Sequence, residues 1–436
     1  MTISSATRTS ARDRLADALA RIDDPAGQGR YACLTVYRDS ARREAAEADA
    51  RAAAGRSRGP LDGAIVSIKD LFDVAGEVTR AGSRILAEEG EPAERDAPVV
   101  ARLRAAGAVI VAKTNMTEFA FSGVGENPHY GTPGIPADRR RVPGGSSSGA
   151  AVAAADGMCE ISIGSDTGGS TRIPAALTGI VGFKPSKPRV PTDGVFPLSS
   201  TLDSIGPMAM TVQRCADADA VMAGEQAAPL PDVSLSGIQI GVAQGLPLKA
   251  MDDTVAPAFE RACQRLSAAG AVLRDETLKP LDAMADVNGR GGIVPFEAYQ
   301  LHRDRLRRRL ADIDPKIGKR IERGGVITEN DYAWMLAERQ QLIRMMAARL
   351  DGVDLIAMPT VPIVAPVMDE VASDEGFARK NALLLRNPSI VNFFGLCAIS
   401  LPMPGSALPA GLMLVARHGQ DRRLLASAAA AERALG

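Results

Sequence analysis

Histidine is nearly absent: a chain of 436 residues holds three, His129, His302 and His418. None stands in an H-x-x-x-H or H-E-x-x-H arrangement, so the sequence offers no histidine-built metal site. Cysteine is scarce too. Cys33, Cys159, Cys215, Cys263 and Cys397 are odd in number, scattered, and never paired as C-x-x-C. That excludes a disulfide framework and a zinc ribbon, and fits a reducing, cytoplasmic setting. Charge of one sign is missing as well: 51 basic against 52 acidic residues leave a net charge of -1. Such a chain lacks the bulk field that holds a phosphate backbone, and a dedicated nucleic-acid binder is not expected. No G-x-x-x-x-G-K-[ST] occurs, and GVGENP at 123–128 breaks the G-x-G-x-x-G pattern at its last position, so nucleotide binding has no motif behind it. The N-terminal residues mix charges throughout, without the apolar core of a secretory signal. The uncharged stretch from Asn387 to Ala416 is broken by Pro402, Pro404, Gly405 and Pro409. It reads as two short buried strands joined by a turn rather than a membrane span.

What is present is a chain long enough to bury a large core, with 46% hydrophobic residues. Residues 1–60 read as a helical N-terminal segment, with two Ala/Arg/Asp/Glu-rich surface helices between Ala11 and Gly55. From Gly63 onward short β-type runs alternate with helical segments: AIVSI, PVVARLRAAG, AVIVAKT, AAVAAADGM, EISIG and IVGFK. This alternation predicts an α/β fold, one large domain with a mixed β-sheet flanked by helices, its core in 61–215. IQIGVA, a helix near 253–269 and AVLRDE continue the pattern. Residues 283–352 are charged and mostly helical, a variable region over the sheet, and 353–436 return to the core.

With histidine so rare, serine chemistry needs another base. Pro143 to Ser186 reads PGGSSSGAAVAAADGMCEISIGSDTGGSTRIPAALTGIVGFKPS. GGSSSG runs straight into a strong helix former, which a flexible linker does not usually do. A Gly-rich turn at a helix start presents backbone N–H groups to an anion, so Thr167-Gly168-Gly169-Ser170 can set a serine oxygen beside several donors. Lys69 closes the apolar run AIVSI and would be carried inward, where burial lowers a lysine pKa toward neutrality. Gly145-Ser146-Ser147-Ser148-Gly149 also matches G-x-S-x-G, which leaves open an α/β-hydrolase-type esterase with Ser147 as nucleophile. Asp166 and Arg172 are expected to pair and hold the turn, Glu118 to form a pocket wall or a helix cap, and Cys159 to lie in the core.

The 143–186 block resembles the signature of the amidase signature family of amide hydrolases. GAIVSIKDLFDVAG, GAVIVAKTNMTEFAFSGVGENPHYG, GVFPLSSTLDSIGPMAMTV, DLIAMPTVP, GLCAISLP and AGLMLVARHG agree with it, over roughly 30–215 and 353–433. The resemblance implies Ser170 as acylated nucleophile, Ser146 as bridging serine on a cis peptide bond, and Lys69 as base. It places the oxyanion hole at Thr167, Gly168, Gly169 and Ser170, and the acyl pocket at Ala120, Phe121 and Ser122. It implies a small amide or urea-like substrate, no metal and no organic cofactor, and leaves a homodimer open. GGSSSGAA stands where many members read GGSSGGSA, yet Ser146 keeps its 24-residue spacing to Ser170. The family includes the A subunit of the tRNA-dependent amidotransferase, which acts with partner chains. Those chains typically read KPTYGRVSRYG where this one reads KPSKPRVPTDG, so that subunit is the alternative reading.

Overall fold

Eleven short strands join into one mixed sheet in the computed structural model, which describes residues 9–436. The first eight residues, counted above in the N-terminal helical segment, lie outside the described residues. The strands are β1 (Cys33–Val36), β2 (Ile65–Lys69), β3 (Val109–Thr114), β4 (Ile161–Asp166), β5 (Val181–Lys184), β6 (Ser204–Ala209), β7 (Gln239–Ala243), β8 (Val272–Glu276), β9 (Leu355–Pro359), β10 (Cys397–Pro402) and β11 (Gly411–Ala416). Their order across the sheet is β1-β3-β2-β4-β6-β5-β10-β11-β9-β7-β8. β2 lies parallel between β3 and β4, and β4 runs antiparallel to β6. All three central strands are buried along their whole length, because helices cover both faces, and so they read as nearly continuous apolar runs. The fold is the single α/β domain that the alternation predicts.

β2 shows how the sheet divides its core. Alternation sends Val66 and Ile68 into one apolar cluster and Ile65 into another, which contains the Ala-rich helix Ser148–Ala155. Ser67 and Lys69 share the face of Ile65. Ser67 bonds Ser162 across the strands at 2.7 Å, and Ser162 donates to the Ala150 carbonyl of that helix at 2.6 Å. The lysine at the strand end therefore points under the covering helix, away from water.

The uncharged C-terminal stretch forms β10 and β11, paired antiparallel from Cys397↔Ala416 to Pro402↔Gly411. No helix among the described residues is long and apolar enough to cross a membrane. The N-terminal helices Ala11–Asp23 and Arg38–Ala53 are present, with β1 between them, an edge strand antiparallel to β3 that the sequence reading did not contain. β6 and the long helix Asp374–Phe393 were likewise not expected. The charged region folds into helices Pro280–Gly289, Ile293–Arg309, Pro315–Glu322 and Glu329–Arg349.

Candidate active site

Lys69, at the end of β2, has no exposed surface. Its Nζ donates to Ser146 Oγ at 2.7 Å and to Ser165 Oγ on β4 at 2.9 Å. No carboxylate among the described residues forms an ion pair with it. Burial pushes its pKa down to about 7, against the weaker opposing pull of Asp203 and Asp166. Ser146 is also fully buried, just before the helix Ser148–Ala155, and its peptide bond with Gly145 is cis. The two Ser/Gly blocks are tied together: the Ser147 N–H donates to the Ser170 carbonyl at 3.3 Å, and the Thr117 N–H to the Ser146 carbonyl at 3.1 Å.

β4 ends in Asp166, and the turn 167–170 follows. Asp166 organises that turn. It pairs with Arg172 through Nη2 at 2.9 Å and Nε at 3.0 Å, both side chains being fully buried, as the sequence reading expects. It accepts the Gly169 N–H at 2.8 Å, the Thr171 N–H at 3.2 Å and Asn392 Nδ2 at 2.8 Å. Burial works to raise the Asp166 carboxyl, but the Arg172 guanidinium outweighs it and holds the group well below the usual carboxylate range. The Gly169 N–H is therefore occupied by Asp166, while those of Gly168 and Ser170 have no protein acceptor among the described residues. Thr167 is fixed from the other side, its hydroxyl donating to the buried Asp203.

Ser170 opens onto a cavity of about 220 Å³ lined also by Thr167, Gly168, Ala120, Phe121 and Ser122. Six of the residues singled out in the sequence thus meet at one cavity, with Lys69 and Ser146 buried outside it. The 118–122 segment is unusual: Phe119 and Ala120 have φ of 52° and 61°, in the left-handed region that non-glycine residues seldom occupy. Phe119 is held by His302, its ring centroid 4.1 Å away. Glu118 does not form the cavity wall. Its Oε2 accepts the Asp314 N–H at 2.6 Å and His129 Nε2 at 3.1 Å, so it fastens this segment to the start of the helix Pro315–Glu322.

Three contributors were not expected from the sequence: Asp203, Asn392, and Arg320 on the helix Pro315–Glu322. Arg320 lines the cavity, donates Nε to the Phe121 carbonyl at 2.9 Å, and lies 4.5 Å above the Phe121 ring. In the sequence KIGKRIERGG reads only as a charged helix face.

The esterase reading with Ser147 is corrected. Ser147 is fully buried, its hydroxyl donates to the Ser165 carbonyl at 3.4 Å, and no histidine among the described residues pairs with it. His129 is bonded to Glu118, His302 is packed behind Phe119 with its pKa pushed down to about 3 by burial, and His418 contacts the Gly395 carbonyl. Cys159 is buried in the core beside Ser67 and Ser162, and burial raises its thiol pKa.

Comparison with known proteins identifies the family and the fold. The Amidase family model matches residues 15–425. The chain is 35% identical over 404 residues to a 2-amino-5-chloromuconic acid deaminase of Comamonas testosteroni, covering 91% of this chain and 87% of the relative. It is 36% identical over 446 residues to the A subunit of a glutamyl-tRNA(Gln) amidotransferase from Anaeromyxobacter sp. (strain K), covering 93% and 89%. A crystal structure of an amidase superposes with a TM-score of 0.86 at 34% identity, covering 98% of this chain and 97% of the other. A match across nearly the whole chain, in sequence and in fold, makes this protein a member of the amidase signature family, hydrolases that act on C–N bonds.

Proposed function

We propose that the chain is an amidase cleaving a carboxylic amide or urea-like C–N bond through an acyl-enzyme on Ser170, with Ser146 and Lys69 moving the proton. The observation that carries this reading is the 2.7 Å contact between Ser146 and a lysine buried without a paired carboxylate. Such a lysine is neutral over part of the ordinary pH range and can accept a proton. Neutral Lys69 takes the proton of Ser146, which takes that of Ser170 as its Oγ bonds to the carbonyl carbon. The negative charge on the carbonyl oxygen falls to the free N–H groups of Gly168 and Ser170, with Thr167 beside them, and Gly169 shapes the turn. Collapse breaks the C–N bond, and Ser146 returns the proton to the departing nitrogen. Water then adds to the ester and frees the acid and Ser170 by the same proton route. Residues 61–215 supply this machinery, and 283–352 shape the cavity and set the specificity.

A second reading, the A subunit of an amidotransferase, has the likeness to such a chain in its favour. The same first step serves both.

The test is turnover of primary amides, ureides and anilides by purified variants, with folding checked by circular dichroism. Ser170→Ala abolishes turnover and labelling by a sulfonyl fluoride. Ser146→Ala and Lys69→Ala lower kcat by roughly 100-fold or more, the scale of lost acid–base help. Near-normal turnover by folded Ser170→Ala refutes the assignment.

A further inference from the structure

Arg320 is the only charged side chain among the described residues that line the Ser170 cavity. The other polar groups there, Ser122, Thr167, Asn288 and Ser389, are neutral. Elsewhere, the fully buried Arg172 pairs with Asp166, and the partly buried Arg189 pairs with Asp219 and Glu225. The buried Arg339 has no acidic partner, and it spends its Nε and Nη2 on the Phe393 and Asn392 carbonyls. Arg320 has no ion pair either, and only its Nε is used, on the Phe121 carbonyl. Its two terminal nitrogens face no protein acceptor among the described residues.

That arrangement leaves a positive charge, on a partly buried side chain, facing a partly open cavity without a protein counter-ion. Burial, with nearby Arg323, pushes its pKa down to about 10, which still leaves it protonated at neutral pH. Partial burial weakens the solvation of that charge, and an anion in the cavity offsets the loss. The guanidinium is also pre-oriented. Stacking on Phe121 and the Nε hydrogen bond fix its plane, leaving the fork of Nη donors that matches a carboxylate in two-point fashion.

We propose that the cavity takes an acyl group ending in a carboxylate held by Arg320, so that the substrate is a half-amide of a short dicarboxylic acid or a close relative of one. This rests on the reading of Ser170 as the acylated residue, whose cavity then holds the acyl portion. The same Arg320 contacts admit a purely positioning role, in which the side chain only orders Phe121, and the test separates the two.

Binding is measured by calorimetry on Ser170→Ala, which needs no turnover, using succinamate and glutaramate and their neutral methyl esters. The half-amides bind at least about tenfold more tightly than the esters, and Arg320→Gln in the same background removes the difference. On otherwise intact enzyme, Arg320→Gln lowers kcat/KM for the half-amide by about 100-fold, and for the ester by at least tenfold less. Arg320→Lys restores part of the preference for the acid. Equal binding of acid and ester, or an equal loss on both in Arg320→Gln, overturns the proposal and leaves Arg320 a positioning residue. Tight half-amide binding together with persistent turnover by Ser170→Ala would instead remove the nucleophile assignment and leave the anion subsite standing.

Discussion

A lysine can serve as a base only while it is neutral, which gives the residue-scale chemistry a definite sign. Burial pushes Lys69 down to about 7 from the ordinary lysine range. Protonation on the acid side of that value stops it from accepting the Ser146 proton, so kcat/KM falls below about pH 7 and reaches a plateau in alkaline solution. The limb belongs to the coupled Ser170–Ser146–Lys69 unit rather than to the amine alone. A pH–rate profile checks this. The acid limb persists in His129→Ala and His418→Ala, and a folded histidine variant that loses it while Lys69→Ala keeps it would make the base a histidine. The residues themselves pointed to Lys69 and to the turn that carries Ser170, while the roles of Ser146 and Ser170 came from the resemblance to the amidase signature family. A lysine closing an apolar run is a candidate for burial at a strand end, and glycine-serine turns followed at once by helix formers are not usually linkers. Arg320 was not legible. Its role depends on Phe121 folding beneath it from a segment about 200 residues away, and no local pattern encodes that meeting.

Among elements, the turn 167–170 and the helix Asp374–Phe393 depend on each other most directly. Gly169 has φ of +127°, and a Cβ there would stand 2.5 Å from Pro388 Cβ and 2.8 Å from Ile173 Cδ1. Gly169→Ala is thus strained in its backbone and blocked by its neighbours at once, and the turn can relieve neither without moving Ser170. The expected outcome is a fall in kcat of at least about 100-fold with the far-ultraviolet spectrum retained, since small displacements of reacting groups cost that much. Steady-state kinetics and the rate of sulfonyl fluoride labelling at Ser170 check it. The helix behind this glycine is also what the sequence reading lacked. Pro388 sits inside it, and Asn381, Asn387 and Asn392 are buried along it, a composition that resembles a loop more than a helix. Two of those asparagines hold the surroundings of the site: Asn392 bonds Asp166, and Asn381 accepts the Gly123 N–H at 2.8 Å. β6 was hidden for a similar reason. SIGPMA carries a glycine and a proline, residues that weaken a strand reading, and only its place between β4 and β5 settles its conformation.

At the scale of the whole molecule, the sheet brings together parts of the chain that sequence order keeps apart. Lys69 comes from β2, the Ser146 and Ser170 blocks flank the helix and strand that follow, Arg320 arrives from the charged helical region, and Asn392 from near the C-terminus. Each of these is fixed by another residue of the same chain. Arg172 and Asn392 hold Asp166, Asp203 holds Thr167, and the Glu118 carboxylate fastens the cavity segment to the helix that carries Arg320. All of these holding contacts are made within the one chain. The chain purified alone is therefore expected to release ammonia from a small amide at a turnover on the order of 1 s⁻¹ or faster. Its specific activity should stay constant as the enzyme is diluted into the nanomolar range. Loss of activity on dilution would mean that contact between copies completes the site. Activity that appears only when a different protein is added would favour the amidotransferase reading, in which the chain acts with partner chains.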